Sequence, residues 1–112
     1  MKQTLLSIVG QTFSDFEVIV GNDNTKERLS AEVLGIHDGR IRFVNNAQNL
    51  GELGNMNALL GMARGKYFTW QFDDDLYAWT FLQSAYEAFL KFNYPPCVFT
   101  SYDVVQGRSL GD

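Results

Sequence analysis

The sequence predicts an α/β fold, a mostly parallel sheet flanked by helices, and three observations carry that prediction. Short β-branched runs at Phe16-Glu17-Val18-Ile19-Val20 and at residues 40–44 alternate with segments of helical periodicity. The first run ends in the turn cluster Gly21-Asn22-Asp23-Asn24, and an aromatic-rich run over 66–72 ends in Asp73-Asp74-Asp75. Strand, helix, strand, helix, strand in sequence implies a layered parallel sheet, and such sheets bind ligands beyond the carboxyl ends of their strands. Both polar clusters fall at such ends, which predicts that they face one crevice.

Each element follows from its local pattern. Residues 1–10 place Leu5, Leu6, Ile8 and Val9 as in the end of a helix. Residues 16–20 read as a strand, 25–34 as a helix with Thr25 at its N-cap, and 40–44 as a second strand. A polar loop over 45–49 precedes Leu53, Met56, Leu59, Leu60 and Ala63 at helical spacing from Gly51, with Gly65 as a stop. Residues 66–72 read as a buried strand and 80–92 as a helix stopped by Pro95 and Pro96, with a last strand over 97–105.

Composition narrows the function classes. The 112 residues suit one domain, with 46% apolar and 20% charged residues, the balance of a globular chain. A net charge of −4 without a run of Lys or Arg argues against nucleic acid and against a polybasic membrane patch. A nucleotide ligand stays open, because a divalent cation can supply the missing positive charge. Cys97 is the only cysteine, so no internal disulfide can form, and a reducing, cytoplasmic setting is the simpler expectation. No run approaches eighteen apolar residues, and Leu5-Leu6-Ser7-Ile8-Val9 is too short for the apolar region of a signal peptide.

Three consecutive carboxylates after an apolar run raise one another's pKa unless a cation neutralises them. Hard Mg2+ or Mn2+ prefers oxygen ligands, usually one or two carboxylates plus phosphate oxygens. Taken alone, the triplet reads first as a solvated acidic turn at the start of the helix near Thr80. An EF-hand is excluded by spacing, since Ala78 stands at the required glycine and Ser84 at the required glutamate. Gly21-Asn22-Asp23-Asn24 alone reads as an ordinary turn, and Asn45, Asn46, Asn49 and Asn57 as loop and cap residues. There is no G-x-G pair and no phosphate-binding G-K-[ST] loop.

In combination these pieces resemble glycosyltransferase family 2. Ser7-Ile8-Val9-Gly10-Gln11-Thr12-Phe13-Ser14-Asp15-Phe16-Glu17-Val18-Ile19-Val20 is similar to the family's S-x-x-x-Q-T-x-x-x-[FW]-E-[VIL]-I-[VI] stretch, and Asn22-Asp23-Asn24 stands where the family has D-D-[GN]-S. Arg40-Ile41-Arg42-Phe43, Asn49-Leu50-Gly51, Asn57 and Ala63-Arg64-Gly65-Lys66-Tyr67 follow at the family's intervals. Trp70-Gln71-Phe72-Asp73-Asp74-Asp75 then takes the place of its D-x-D-D region, and Asp73-Asp74-Asp75-Leu76-Tyr77 resembles the bacterial spore-coat branch in particular. The resemblance runs over about residues 7–82. Asn22 replaces an acidic residue, Met56 a frequent arginine and Trp79 a frequent proline.

The resemblance implies a GT-A, Rossmann-like fold and a sugar transfer from a UDP- or dTDP-sugar to an acceptor hydroxyl, with inversion and with Mg2+ or Mn2+. By it, Asn22, Asp23, Asn49, Asn57 and Asp73 form the nucleotide-sugar site, Asp23 meeting a uracil-type base and Asp73 the ribose. Asp74 is the principal metal ligand and Asp75 a second ligand or a pocket residue. Residues 1–112 correspond to a partial nucleotide-sugar-binding domain, without the family's first strand and its acceptor-binding half. The catalytic base is expected outside the chain, since Asp103 follows the metal motif too closely. The chain taken by itself is expected to be inactive, and an unpaired sheet edge is expected to recruit a partner segment or a second copy. The rival class is a nucleotide-binding or structural module without turnover.

Among the remaining residues, His37 reads as a surface histidine and Cys97 as a small buried one. Phe68, Trp70, Phe72, Trp79, Phe81, Tyr86 and Phe89 read as core, with Tyr77 and Trp79 the candidates for sugar contacts.

Overall fold

A computed structural model describes residues 1–72, 75–95 and 97. Asp73, Asp74, Asp103 and all of the expected last strand beyond Cys97 lie outside the described residues. The elements are α1 (Lys2–Val9), β1 (Val18–Asn22), α2 (Ala31–Leu34), β2 (Ile41–Asn45), α3 (Gly51–Met62) and α4 (Phe81–Lys91). They divide into two compact units: residues 15–70 form one, and residues 3–14 with the described residues from Gln71 onward form the other.

The first unit is a β-α-β arrangement followed by a helix. β1 and β2 pair in parallel with Val18 opposite Ile41 and Asn22 opposite Asn45, as the α/β prediction requires. Among the described residues the sheet has these two strands. Val20 on β1 and Ile36 after α2 are buried. Here the predicted helix over 25–34 is corrected to the four residues of α2. Its N-cap is Ser30, whose hydroxyl accepts from the Val33 N–H, and not Thr25. Side chains of the strand ends explain the difference. Asn22 donates to the Glu27 carbonyl at 2.6 Å, while Asn45 both donates to the Leu29 carbonyl and accepts from the Leu29 N–H. Backbone groups that a helix would have used are therefore spent on the sheet.

α3 begins at Gly51 as predicted but stops at Met62, before the expected Gly65, because Ala63 turns extended. The Glu17 carboxylate then takes the Arg64 N–H at 2.8 Å and pairs with its guanidinium. The expected buried strand over 66–72 is a second correction. Among the described residues it joins no ladder, and Phe68 (59% exposed) and Phe72 (45%) are exposed. A strand exists through its pairing, and these aromatic residues have no neighbouring strand among those described.

The second unit packs α1 and α4 with the segment between Asp75 and Thr80. Leu5 and Ile8 of α1 are buried. Phe13 packs on Tyr86 with ring centroids 4.9 Å apart, and Tyr77 stacks on Phe81 at 4.2 Å. α4 ends at Lys91, and Asn93 and Tyr94 adopt left-handed backbone just before Pro95. Of the aromatic residues expected in the core, Trp79 and Tyr86 are exposed as well, while Trp70, Phe81 and Phe89 are half-buried. Cys97 is exposed, not buried, since no strand forms beside it among the described residues.

Candidate functional site

In the first unit, β1 and β2 deliver a polar cluster at their carboxyl ends. Asp23, one residue past β1, accepts from the Leu50 N–H at 2.7 Å and from the Asn46 side-chain amide at 3.1 Å, both on Oδ1. Its Oδ2 accepts from the Gly51 N–H at 2.9 Å. α3 has no side-chain cap of its own at Leu50. Asp23 supplies that cap across 27–28 residues of sequence, placing a negative charge at the positive end of a twelve-residue helix. Gly51 adopts φ +77°, which a side chain would resist, and so turns its N–H onto the carboxylate. The Leu50 N–H foremost, then the Asn46 amide and the Gly51 N–H, hold the Asp23 carboxyl below its ordinary pKa. The group is therefore ionised and acceptor-only at neutral pH.

The other predicted residues of this unit divide in role. Asn49 lies against Asp23, donating to its carbonyl at 3.3 Å and accepting from the Gly51 N–H at 3.0 Å. Asn22 is buried and faces away into structure: its amide donates to Glu27 and to Asn45 Oδ1, and its oxygen accepts from the Asn24 N–H. Asn57 lies exposed on α3, away from the hydrogen bonds that hold Asp23. Sequence reasoning missed Asn55, whose side chain reaches Asn46 at 2.9 Å and the Gly21 carbonyl at 3.2 Å.

In the second unit Asp75 is exposed, and its backbone is anchored twice: its N–H donates to the Phe72 carbonyl, and its carbonyl accepts from Thr4 Oγ at 3.0 Å. Thr4 is the first of a polar row along α1. Ser7 Oγ accepts from the Tyr77 N–H at 3.3 Å, and Gln11 donates to the Ala78 carbonyl at 2.7 Å. Gln11 Oε1 also accepts from the Leu82 N–H at 2.9 Å, which caps α4 where Thr80 makes no side-chain cap. Thr4 and Ser7 lie on one face of α1 and Gln11 continues the row just past its end, so this stripe holds the backbone over residues 75–82. Gln11 and Ser7 stood in the sequence as family landmarks, and spacing alone did not reveal this use. Beside them Leu6, Gly10, Leu76 and Trp79 line an open groove of ≈ 490 Å³, with Trp79 74% exposed.

No group of three or more His, Cys, Asp or Glu side chains is placed to hold a metal ion among the described residues. Asp75, the described member of the triplet, offers a solvent-facing carboxylate, an oxygen donor of the kind that hard divalent cations take. No helix among the described residues is long and apolar enough to cross a membrane.

A parallel β-α-β unit with a polar cluster at its strand ends is a Rossmann-like α/β arrangement, here in the incomplete GT-A form. The chain belongs to Glycosyl transferase family 2, whose family model matches residues 1–108. It is 34% identical over 79 residues to an uncharacterized glycosyltransferase of Methanocaldococcus jannaschii, covering 68% of this chain and 27% of that one. It is 24% identical over 107 residues to the UDP-Glc:alpha-D-GlcNAc-diphosphoundecaprenol beta-1,3-glucosyltransferase of Escherichia coli, covering 96% and 42%. A third relative is the GalNAc(5)-diNAcBac-PP-undecaprenol beta-1,3-glucosyltransferase of Campylobacter jejuni, 35% identical over 78 residues that cover 67% and 25%. The chain thus spans about a quarter to two fifths of the length of these relatives. No solved structure matches it.

Proposed function

We propose that this chain carries the donor-binding part of a metal-dependent, inverting glycosyltransferase that uses a UDP- or dTDP-sugar. The observation that carries the reading is the Asp23 carboxylate, held ionised at the carboxyl ends of two parallel strands in a chain of this family. A carboxylate has about four lone-pair sites, and protein donors take three of them here. The fourth, on Oδ2, suits the N3–H of a uracil or thymine base. Asn49 lies beside it, Asp73 would meet the ribose and Asn57 would reach the sugar side of the donor, while Asn22 would serve the nucleotide-sugar site from beneath, as the buried residue that holds the loop carrying Asp23.

Asp74 and Asp75 would hold Mg2+ or Mn2+, whose charge favours departure of the diphosphate. The acceptor oxygen attacks the anomeric carbon as the bond to the diphosphate oxygen breaks. The nucleoside diphosphate leaves with that electron pair, and the acceptor's proton passes to a general base. The names of the Escherichia coli and Campylobacter jejuni relatives support a hydroxyl on a lipid-linked sugar as acceptor. The Asp73-Asp74-Asp75-Leu76-Tyr77 run supports a place near the spore-coat-type branch, and a single cysteine supports a cytoplasmic setting.

A second reading has a specific observation in its favour. The three donors that hold Asp23 also make it a helix cap, which suits a structural or nucleotide-holding module without turnover. Calorimetric titration of UDP, with and without Mn2+ and repeated on Asp74→Ala, tests the donor site on which the first reading depends. Metal-dependent binding that is lost in the variant supports the transferase reading. Absence of UDP binding under both conditions overturns it.

A further inference from the structure

The side chains behind Asp23 form a short relay that begins on the main chain of β1. Asn55 donates from Nδ2 to the Gly21 carbonyl at 3.2 Å. Its Oδ1 accepts from Asn46 Nδ2 at 2.9 Å, and the same Asn46 nitrogen donates to Asp23 Oδ1 at 3.1 Å. An amide nitrogen has two hydrogens, so the Asn46 donor is fully used. The strand carbonyl also fixes which way Asn55 faces, since only its nitrogen can donate there. Room for this approach exists because residue 21 is glycine: a Cβ there would lie 2.8 Å from Asn55 Oδ1.

We infer that Asn55 is a positioning residue which, acting through Asn46, sets the direction of the free Asp23 lone pair and thereby the preference for a pyrimidine carrying an N3–H. The inference rests on the base-binding reading of Asp23 given above. With Asn55 intact, both lone pairs of Asp23 Oδ1 are occupied, by Leu50 N–H and by Asn46, and the Gly51 N–H holds Oδ2. The carboxylate then cannot turn about its Cβ–Cγ bond, and its remaining acceptor points one way. Without Asn55, one Asn46 hydrogen loses its acceptor and the amide is free to swing off Asp23. The carboxylate keeps its two backbone donors but loses the third contact that fixes its plane.

The test is calorimetric titration of UDP and of its N3-methyl analogue, both with Mn2+, into the chain and its variants. The parent is expected to prefer UDP by about tenfold or more, because methylation removes the donor that Asp23 accepts. Asn55→Ala and Asn55→Leu should each cut that preference about three- to tenfold. Leucine is close to asparagine in size and a better helix former, so it guards against simple loss of α3. The Asn46→Ala/Asn55→Ala double variant should be no worse than Asn46→Ala alone, since the two residues act in series. Leu59→Ala, which loosens α3 without touching the relay, should lower the thermal midpoint and keep the preference. An unchanged preference in both Asn55 variants, or additive losses in the double variant, overturns the inference while leaving the base-binding reading intact. A parent that binds UDP and its N3-methyl analogue equally overturns that reading, and the inference with it.

Discussion

The side chain of Asn55 occupies the space that a side chain on Gly21 would need: a Cβ built at position 21 would lie 2.8 Å from Asn55 Oδ1 and 2.8 and 2.9 Å from the two Leu59 methyl carbons. α3 therefore packs directly on the backbone of β1. Gly21→Ala should destabilise the chain by about 1–3 kcal/mol, the usual cost of overpacking a close contact. Denaturant unfolding reads this, and a change under about 0.5 kcal/mol would show that α3 shifts aside freely.

Gln11 should matter out of proportion to its place in a loop after α1. It is buried, donates to the Ser7 and Ala78 carbonyls and caps α4 at Leu82. Gln11→Leu leaves those groups without a partner and should cost about 1–3 kcal/mol. Thr4→Val, which removes one hydrogen bond to the Asp75 carbonyl and keeps the shape, should cost about 0.5–1.5 kcal/mol. Equal stabilities for all three proteins by thermal unfolding would contradict the polar row on α1.

The two candidate caps of α2 make a direct comparison. Ser30→Ala should cost about 1 kcal/mol, and Thr25→Ala should fall within about 0.5 kcal/mol of the parent. The reverse order in denaturant midpoints would restore the longer helix that the sequence pattern suggested.

Acid should loosen the first unit through named carboxylates. The Arg40 guanidinium and N–H lower the Asp38 pKa to about 2 from 3.8, and Asp23 is depressed as well. A depressed carboxyl contributes stability that is fully present above its unfolded value and is lost as pH falls through the folded one. The window for Asp38 is thus about pH 4 down to about 2. A carbon NMR titration should find its midpoint near 2 in the parent and closer to 3.8 in Arg40→Met; a parent midpoint near 3.8 would refute the pairing.

Legibility followed the range of the interactions. The two strands, read at 16–20 and 40–44 and formed one or two residues later at Val18–Asn22 and Ile41–Asn45, and the helices α3 and α4 show in periodicity because their own residues form them. What the pattern hid was set from far along the chain. Residues 27–29 resemble helix until Asn22 and Asn45 take their backbone, and α3 and α4 lack local caps because Asp23 and Gln11 serve them from elsewhere. Cap reading looks one to three residues away, and in a helix drawn from Thr25 it places Ser30 in the interior, where no cap is sought. Asp23 was identified from the resemblance, whereas Asn55 carried no motif and only the hydrogen bonds reveal it.

The polar row on α1 also orders events in time. Thr4 meets residue 75, 71 positions later, and Gln11 meets Leu82 over the same interval, whereas Asp23 finds Leu50 and Gly51 within 28. Synthesis adds about 5–20 residues per second, so for several seconds the emerging helix has nothing to bind while β1, β2 and α3 already can. Longer loops also close at greater entropic cost. The backbone over residues 75–82 is therefore set after the Asp23 cluster, and slowing or pausing translation before residue 82 would prolong a state in which that cluster is built and the contacts of α1 are not.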